Sequence, residues 1–578
     1  MALKGLRSRA GAALVLLATL WCAPDAYAER YALLVGVSKY AASEATGHSI
    51  DLEGPAQDIA ALQRLLIDRQ GFRPESIVVL VDQAATRRAI LDRLAERVAA
   101  MRDGDYLLFY FSGHGTSAFD AKMQPVSAFI GPNSGALVPY DFQTDSPEHA
   151  GESLIVGRRD LQPILARLPQ RSQAVVVLDA CYSENSVRSI RQRLVGKTRG
   201  ITLGTMVAGG GRSNAPQALD RAEIAPAGAE AERAYPYSNV VALTAASKDE
   251  QAIDIDSRMA VDGQYPTVDG RAHGAFTNSL LEGLSGGGDA NHDGTITLQE
   301  LYEFSRRRVQ SRFAHTPQML APASVALGAT PALGSALPSV VAPCRPTATT
   351  RDSTPVRVRL ESVPEDLSRR LRSMEDVQVV TGGADLVVVR GPEQLFDLYD
   401  GSGLLIRQFR PAEAEDLVAR IRAARAVEQF VALGVACPAF NVSLRLHPAG
   451  QSRFSARDRM QVGASLDRDA FIVLFNVDKA GTVSVVYPAT AAERRRLGAG
   501  EVALANVRAV APFGSEYLKV VAFADEPPLD RLGCRAAANG SVRCADVEPG
   551  SPAYGGLLRL LDGVTAAESH IRFTTYED

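Results

Sequence analysis

Apolar side chains in the first half of the chain form two kinds of pattern. Continuous apolar runs, each long enough for one buried strand, occur at residues 31–37, 76–81, 106–111, 174–178 and 240–245. Apolar side chains recur every three or four positions, as in helices that bury one face, at residues 56–68, 85–101, 160–168 and 275–284. Because buried strands that alternate with helices form parallel sheets covered on both faces, this half is predicted to have an α/β fold with a mainly parallel sheet.

The second half of the chain has a different pattern. A stretch rich in Pro, Ala, Ser and Thr predicts an interdomain linker at residues 328–355. Strand candidates and a long helical pattern then predict a small α+β domain at 356–436, and short β patterns typical of a β-sandwich predict a β-rich domain at 437–530. Residues 531–578 form a C-terminal segment, and the first domain covers residues 29–327.

Residues 1–28 have the pattern of a secretory signal peptide. Three basic residues precede an apolar run at 11–23, and Ala26 and Ala28 provide small side chains at the usual cleavage spacing. The run is too short to span a membrane and ends at Pro24. We therefore expect cleavage after Ala28 and a secreted or periplasmic protein that retains no transmembrane segment.

Composition narrows the class of protein. The chain is 46% hydrophobic and 22% charged, with a formal net charge of −4, which is ordinary for a globular protein and excludes chain-wide disorder. Because no basic surface is indicated, no nucleic-acid partner is expected. Cys534 and Cys544 could close a short loop by a disulfide in an oxidising compartment, and no group of cysteines has the spacing of zinc ligands.

Two of the predicted strands end in residues that can react. The run at 106–111 leads into SGHG, which contains His114, and the run at 174–178 leads into DACYS, which contains Cys181. Active groups of open α/β sheets gather at the carboxyl ends of strands, so the two side chains are expected to meet. The thiolate would be the nucleophile, and the imidazole would lower its pKa and protonate the leaving amine. The amides of Gly115 and Cys181 would stabilise the oxyanion.

On these residues the first domain resembles the caspase-like clan of cysteine peptidases, and most closely its bacterial caspase-family and metacaspase-like members. The matching stretches over residues 30–310 are YALLVGVSKY, DLEGPAQDIAAL, DYLLFYFSGHG, AVVVLDACYS and HGAFTNSLLEGL. The resemblance implies a caspase-like sheet flanked by helices. It also implies a catalytic dyad of Cys181 and His114 that needs no third residue.

The resemblance also implies a substrate class. Metacaspases cut after Arg or Lys and line their specificity pocket with carboxylates, and the matching positions here are Asp58, Ser112 and Asp179. Leu52 stands where caspases that cut after aspartate carry an arginine. From the residues alone, Asp58 could instead cap a helix, and Asp179 could shape the turn before Cys181 through a hydrogen bond.

Residues 199–235 are rich in Gly, Ala and Pro and lack periodicity, so they are interpreted as a mobile loop inside the first domain. Four arginines lie in or beside this loop, namely Arg199, Arg212, Arg221 and Arg233. Because flexible backbone is readily cut, a peptidase specific for basic residues is expected to process itself there.

A second motif, at residues 289–300, fits the EF-hand calcium loop at each ligand position. Five side chains supply oxygen donors at positions 1, 3, 5, 9 and 12, a backbone carbonyl supplies position 7, and Gly294 allows the turn. The residues at these ligand positions are Asp289, Asn291, Asp293, Thr295, Thr297 and Glu300. The motif predicts a structural or activating calcium ion, and a vestigial Asx-turn is the alternative.

Residues 440–525 resemble a small domain of uncharacterised function that is appended to bacterial caspase-like proteins. This resemblance implies no chemistry, and recognition of a protein partner or an envelope component is its expected role. Taken together, the sequence predicts a secreted or periplasmic cysteine endopeptidase that acts on polypeptides after Arg or Lys. The alternatives are a catalytically idle caspase-fold scaffold and an acyl transferase that uses the same thioester.

Overall fold

A computed structural model describes the greater part of the chain. The described residues are 28–117, 130, 134–180, 197–199, 235–247, 250–261, 265–291, 293–310, 312–313, 315–322, 324–334, 349–350, 355–381, 384–391, 394–400, 405–435, 438–448, 451–511, 513–527, 534–536, 540–549 and 551–577. Cys181 lies outside them, as do residues 1–27 of the expected signal peptide and residues 200–234 of the expected mobile loop.

The first domain contains the strands and helices that the apolar pattern predicted, except that the α-helix expected at 160–168 is only four residues long, Gln162–Leu165, and follows a π-helical turn at Gly157–Leu161. Its strands are β1 (Arg30–Gly36), β2 (Ile77–Val81), β3 (Tyr106–Ser112), β4 (Gly115–Ser117), β5 (Gly135–Leu137), β6 (Ile155–Val156), β7 (Gln173–Asp179), β8 (Lys197–Thr198), β9 (Val240–Thr244), β10 (Ile253–Ile255), β11 (His273–Gly274) and β12 (Gln318–Leu320). Its helices are α1 (Ala41–Thr46), α2 (Gly54–Asp68), α3 (Arg87–Ala100), α4 (Pro147–Ser153), α5 (Gln162–Leu165), α6 (Ser257–Val261), α7 (Ala275–Glu282) and α8 (Leu298–Gln310).

Six of these strands form the central sheet, in the order β12-β9-β7-β3-β1-β2. All neighbours are parallel except β12, which runs antiparallel to β9. Successive side chains of a strand point to opposite faces, so Leu33 and Leu34 enter two different apolar cores. Helix α2 packs on one face through Leu62, and α3 packs on the other through Ile90. The predicted caspase-like α/β fold, with a mainly parallel sheet covered on both faces, is confirmed.

A smaller α+β unit follows the first domain. Its elements are β13 (Thr349–Thr350), β14 (Val356–Glu361), α9 (Glu365–Arg372), β15 (Val377–Val380), β16 (Leu386–Arg390), β17 (Phe396–Asp400), β18 (Leu405–Phe409), α10 (Ala414–Ala432) and β19 (Gly434–Val435). A five-stranded sheet has the order β15-β14-β16-β17-β18, and α10 packs on it through Leu417 and Ile421. Leu333, within the expected linker, is buried in the core of the first domain.

The last part of the chain forms two packed β-sheets. Its elements are β20 (Val442–His447), β21 (Arg453–Ser455), β22 (Arg459–Leu466), β23 (Phe471–Val477), β24 (Val483–Tyr487), β25 (Gly500–Arg508), β26 (Ser515–Phe523), β27 (Arg535–Ala536), β28 (Val542–Arg543), α11 (Pro552–Leu557) and β29 (Ala566–Tyr576). One sheet is β20-β22-β25, and the other is β21-β29-β26-β23-β24. Because β29 lies inside the second sheet, residues after 530 belong to the β-rich domain. Cys534 and Cys544 are joined in a disulfide.

Helix α8 of the first domain packs against the β-rich domain through buried polar groups. Glu303 accepts a hydrogen bond from Ser443 Oγ at 2.8 Å. The guanidinium of Arg306 is buried and donates to Ser569 Oγ at 3.2 Å and to the carbonyl oxygen of His570. Buried charged groups need such partners, because an unpaired charge in the interior is strongly destabilising. Among the described residues, no helix is long and apolar enough to cross a membrane.

Candidate active site

The two strands that precede the predicted dyad are neighbours in the sheet. Strands β3 and β7 are parallel, and Ser112 at the end of β3 is paired with Asp179 at the end of β7. His114 follows two residues after Ser112, and Cys181 follows two residues after Asp179. The two strands therefore end side by side, and the meeting of the His114 and Cys181 side chains stays a prediction because Cys181 lies outside the described residues.

The imidazole of His114 is buried and held in one orientation. Its Nε2 lies 2.6 Å from the carbonyl oxygen of Ile50. A carbonyl oxygen only accepts hydrogen bonds, so Nε2 carries the proton and Nδ1 of the neutral ring presents a lone pair. Among the described residues, no hydrogen bond of ordinary geometry reaches Nδ1, although a contact with the Arg199 backbone raises the pKa of the ring. Burial lowers the pKa of His114 below its ordinary value, which favours the neutral form of the ring.

A buried pocket at the same edge of the sheet is filled by an arginine of the chain itself. The guanidinium of Arg199 is fully buried. Its Nη2 lies 3.0 Å from Asp58 Oδ2 and 2.7 Å from Asp254 Oδ1. Its Nη1 lies 2.6 Å from Ser112 Oγ and 3.2 Å from Asp179 Oδ2. The three pocket residues expected from the sequence thus come together around one cation, and Asp254 joins them.

The main chain of Arg199 is bound as well as its side chain. The Arg199 N–H donates to the carbonyl oxygen of Ala252 at 3.0 Å, and β8 pairs antiparallel with β10, which places Thr198 opposite Ile253. The Arg199 carbonyl oxygen accepts from the Gly115 amide at 3.0 Å. The sequence assigned this amide to the oxyanion, so the Arg199 carbonyl accepts from the donor that is expected to bind a reacting carbonyl.

Three carboxylates around one guanidinium make the pocket strongly acidic. Burial raises the pKa of the Asp179 carboxyl to about 6, although Arg199 opposes the shift and Asp58 adds to it. Because the guanidinium is planar and has several donors, it can bind more than one carboxylate at once, whereas an ammonium binds as a point charge.

Two glycines leave the room that this pocket needs. A Cβ on Gly54 would lie 2.3 Å from Asp254 Oδ1 and 2.6 Å from Arg199 Nη2. A Cβ on Gly274 would lie 2.1 Å from Asp179 Oδ2. Neither glycine can therefore be replaced by a residue with a side chain while Asp254, Asp179 and Arg199 occupy these positions.

Asp254 is the pocket residue that the sequence reasoning missed. It lies on β10, between buried Ile253 and Ile255, and its Oδ2 accepts hydrogen bonds from the amides of Glu53 at 3.0 Å and Gly54 at 3.2 Å. An acidic residue between two isoleucines is an available signal, because a carboxylate in a buried strand needs a partner. The sequence did not indicate which cation that partner would be.

The expected calcium loop has its carboxylates turned toward its own backbone. Asp289 accepts from the amides of Asp293 at 3.1 Å and Gly294 at 3.0 Å, and Glu300 Oε2 accepts from the Thr297 amide at 3.0 Å. Glu300 Oε1 is buried without a partner. The oxygen donors suit calcium, but within the described residues no three His, Cys, Asp or Glu side chains converge closely enough to hold a metal ion.

Comparison with known proteins shows which family the first domain is similar to. The sequence matches the family model described as a caspase domain over residues 29–325, just over half of the chain. Metacaspase-8 of Arabidopsis thaliana is 23% identical over 171 residues, which are 28% of this chain and 39% of the relative. Metacaspase-1 of Schizosaccharomyces pombe is 27% identical over 161 residues, which are 27% of this chain and 34% of the relative. The match therefore spans less than half the length of either relative.

Among solved structures, protein GSU0716 from Geobacter sulfurreducens aligns with a TM-score of 0.36 and 16% sequence identity, over 54% of this chain and 100% of that chain.

Proposed function

Because this chain belongs to the caspase-domain family of cysteine peptidases, we propose that it is an endopeptidase that cuts polypeptides after arginine or lysine through Cys181 and His114. One observation carries the proposal, namely the way in which Arg199 is bound. Its side chain fills an acidic pocket, and its carbonyl oxygen accepts from the Gly115 amide. Together these contacts match what a peptidase must provide to the residue before the bond that it cuts.

In the proposed reaction, His114 Nδ1 accepts the proton of the Cys181 thiol, and the sulfur attacks the carbonyl carbon of the basic residue. The Gly115 amide donates to the oxygen that becomes negatively charged. His114 then returns the proton to the leaving amine as the peptide bond breaks, which leaves a thioester on Cys181. Water hydrolyses the thioester and restores the thiol. The contact between Nε2 and Ile50 supports this role, because it leaves Nδ1 as the basic nitrogen.

Matched peptides test the proposed specificity directly. A reporter peptide that ends in Lys-Thr-Arg copies residues 197–199, and its relatives carry Lys, Asp or Leu in place of Arg. We expect cleavage of the Arg and Lys peptides by the wild-type protein and no cleavage by Cys181→Ala. A preference for Asp or Leu would contradict the role given to the pocket carboxylates.

The first prediction concerns self-processing. Since Arg199 already lies in the pocket, prolonged incubation of the wild-type protein is expected to break the bond between Arg199 and Gly200, while Cys181→Ala stays intact. Arg199→Gln should prevent this break, and Arg212→Ala, the matched control, should not. Intact mass and N-terminal sequencing identify the fragments. Fragments that begin only after Arg212, Arg221 or Arg233 would show that Arg199 is held for a different reason.

We further propose that the protein is secreted or periplasmic. The disulfide between Cys534 and Cys544 supports an oxidising compartment, and residues 1–28 support export. N-terminal sequencing of protein recovered from the native host should begin at Glu29. Recovery of Met1 from a soluble intracellular fraction would contradict this location.

The second prediction concerns calcium, which we propose binds the loop at residues 289–300. Glu300 has a buried oxygen without a partner, so Glu300→Gln is expected to weaken calcium binding at least about tenfold. Glu96→Gln, a change of an exposed glutamate on α3, should leave binding unchanged. Calorimetry with calcium alone measures both variants. Equal binding heats for wild type and Glu300→Gln would place any ion elsewhere.

A further inference from the structure

His273 lies behind the arginine pocket and contacts two carboxylates. It is on β11 and its side chain is fully buried. Its Nδ1 lies 2.8 Å from Asp58 Oδ1, and its Nε2 lies 2.9 Å from Asp269 Oδ1. Within the part of the chain that the structure describes, the two ring nitrogens are hydrogen-bonded to Asp58 and Asp269, so the His273 side chain reaches the pocket through Asp58.

The ring donates from both nitrogens. Each nitrogen faces a carboxylate oxygen, and a neutral imidazole has only one N–H to donate. Although burial alone would lower it, hydrogen bonds and charge from Asp58 and Asp269 raise the pKa of His273 above its ordinary value. The imidazolium therefore adds a positive charge on the side of Asp58 that faces away from the substrate cation.

The two oxygens of Asp58 share the Gly274 amide, which lies 3.4 Å from Oδ2, and otherwise have different partners. Oδ1 accepts from His273 Nδ1 and from the Gly274 amide at 3.2 Å. Oδ2 accepts from Ser112 Oγ at 2.7 Å and faces Arg199 Nη2 at 3.0 Å. The hydrogen bond to His273 thus fixes the rotation of the carboxylate that presents Oδ2 to the cation.

We propose that His273 is a positioning residue for substrate specificity, which holds Asp58 so that its Oδ2 faces the guanidinium of an arginyl substrate. This inference rests on the proposed function. A guanidinium needs acceptors at fixed places around its plane, while an ammonium adapts to acceptors in several arrangements. Loss of the Asp58 orientation should therefore weaken the binding of arginine more than the binding of lysine. It should affect KM more than kcat, because His273 does not contact the reacting atoms.

Two conservative substitutions separate positioning from a general structural role. The side-chain amide nitrogen of asparagine is two bonds from Cβ, as Nδ1 of histidine is, so His273→Asn can still donate to Asp58. The amide nitrogen of glutamine is one bond farther, so His273→Gln can replace only the contact with Asp269. We expect His273→Asn to retain the binding of arginyl peptides, and His273→Gln and His273→Ala to weaken it at least about tenfold, as for a lost hydrogen bond to a charged group.

The closing experiment measures binding rather than turnover. The parent protein is the double variant Cys181→Ala, Arg199→Ala, in which the pocket is open and no peptide can be cut. Each His273 substitution is added to this parent, and calorimetry compares its affinity for acetyl-Lys-Thr-Arg-amide with its affinity for the Lys counterpart. Asp269→Asn serves as a second control, since it removes the other partner of His273 and should leave the preference for arginine in place. Melting temperatures identify variants that fail to fold. Asp269→Asn keeps the contact between His273 and Asp58, so its ratio of arginine to lysine affinity shows whether that contact alone sustains the preference for arginine.

The outcomes are distinct. If the parent double variant binds neither basic peptide, the pocket assignment fails and His273 has no substrate to position. If the parent prefers arginine and all three His273 variants keep the same ratio of arginine to lysine affinity, His273 does not position Asp58. Equal losses in His273→Asn and His273→Gln would likewise overturn the inference, because they would reflect packing rather than the hydrogen bond to Asp58.

Discussion

Replacement of His114 by alanine is expected to lower kcat/KM for arginyl peptides about a thousandfold, which is the middle of the range for loss of a general base. The reason is local, because Nδ1 is the basic nitrogen of a ring whose other nitrogen is hydrogen-bonded to Ile50. Loss of that hydrogen bond should cost only about 1–2 kcal/mol of folding free energy, so the variant should fold. Steady-state rates on the Lys-Thr-Arg reporter, together with thermal unfolding, measure both effects.

The dyad also predicts how two changes combine. Cys181→Ala should be as inactive as His114→Ala, and the double variant should be little worse than either single variant, because the two groups act as one unit. His149→Ala is a matched control, since this histidine is exposed and pairs only with nearby Asp145 at 2.6 Å among the described residues. Retention of more than a tenth of wild-type activity by His114→Ala would show that another group removes the thiol proton.

Replacement of Asp254 by asparagine is expected to lower kcat/KM for arginyl peptides by about 30-fold or more. Truncating one partner of a buried charge pair typically costs about 2–5 kcal/mol, and each 1.4 kcal/mol corresponds to about a factor of ten. Asparagine keeps an oxygen that can accept from the Glu53 and Gly54 amides, so the start of α2 should stay in place. The lost charge is the one that faces Arg199 Nη2 at 2.7 Å.

A neighbouring carboxylate provides the control for this prediction. Asp256 follows Asp254 by two residues, but its Oδ1 accepts from the Met259 amide at 2.8 Å at the start of α6. Asp256→Asn should therefore leave the preference for arginine unchanged. Cleavage rates are measured on matched reporter peptides that carry Arg or Leu before the bond that is cut. If the rate after Arg falls no further in Asp254→Asn than in Asp256→Asn, Asp254 does not contribute to the binding of arginine.

The resemblance to metacaspases predicted Asp58, Ser112 and Asp179, and for two of them the fold class explains why they meet. Ser112 and Asp179 end two continuous apolar runs, and parallel strands bring such ends to one edge, so their proximity follows from the fold class. Asp254 reaches the pocket through the pairing of β10 with β8 and β11, three strands too short to give a periodic signal. Arg199 was predicted only as a residue to be cut, because nothing local to it shows that distant carboxylates surround it.

The β-rich domain also contains an element that the sequence pattern did not predict. Strand β29 carries charged side chains at positions that pack against other elements, such as Glu568, which pairs with buried Lys519 at 2.9 Å, and Arg572, which donates to the Phe313 carbonyl oxygen at 2.7 Å. A strand with charged residues at buried positions does not show the alternation that identifies strands. The position of β29 in the middle of a sheet can therefore be recognised only when the residues that pair with its charged side chains are known.

The contact between Arg306 and the carbonyl oxygen of His570 joins residues 264 positions apart. A ribosome that makes about 5–20 residues each second needs roughly 13–50 seconds to cover that distance. The first domain can thus fold well before β29 is synthesised. During that interval the Arg306 guanidinium can form its ion pair with Glu303 but lacks its hydrogen-bond acceptors on β29. The Arg306 guanidinium is therefore paired with β29 and buried only after the β-rich domain has been made.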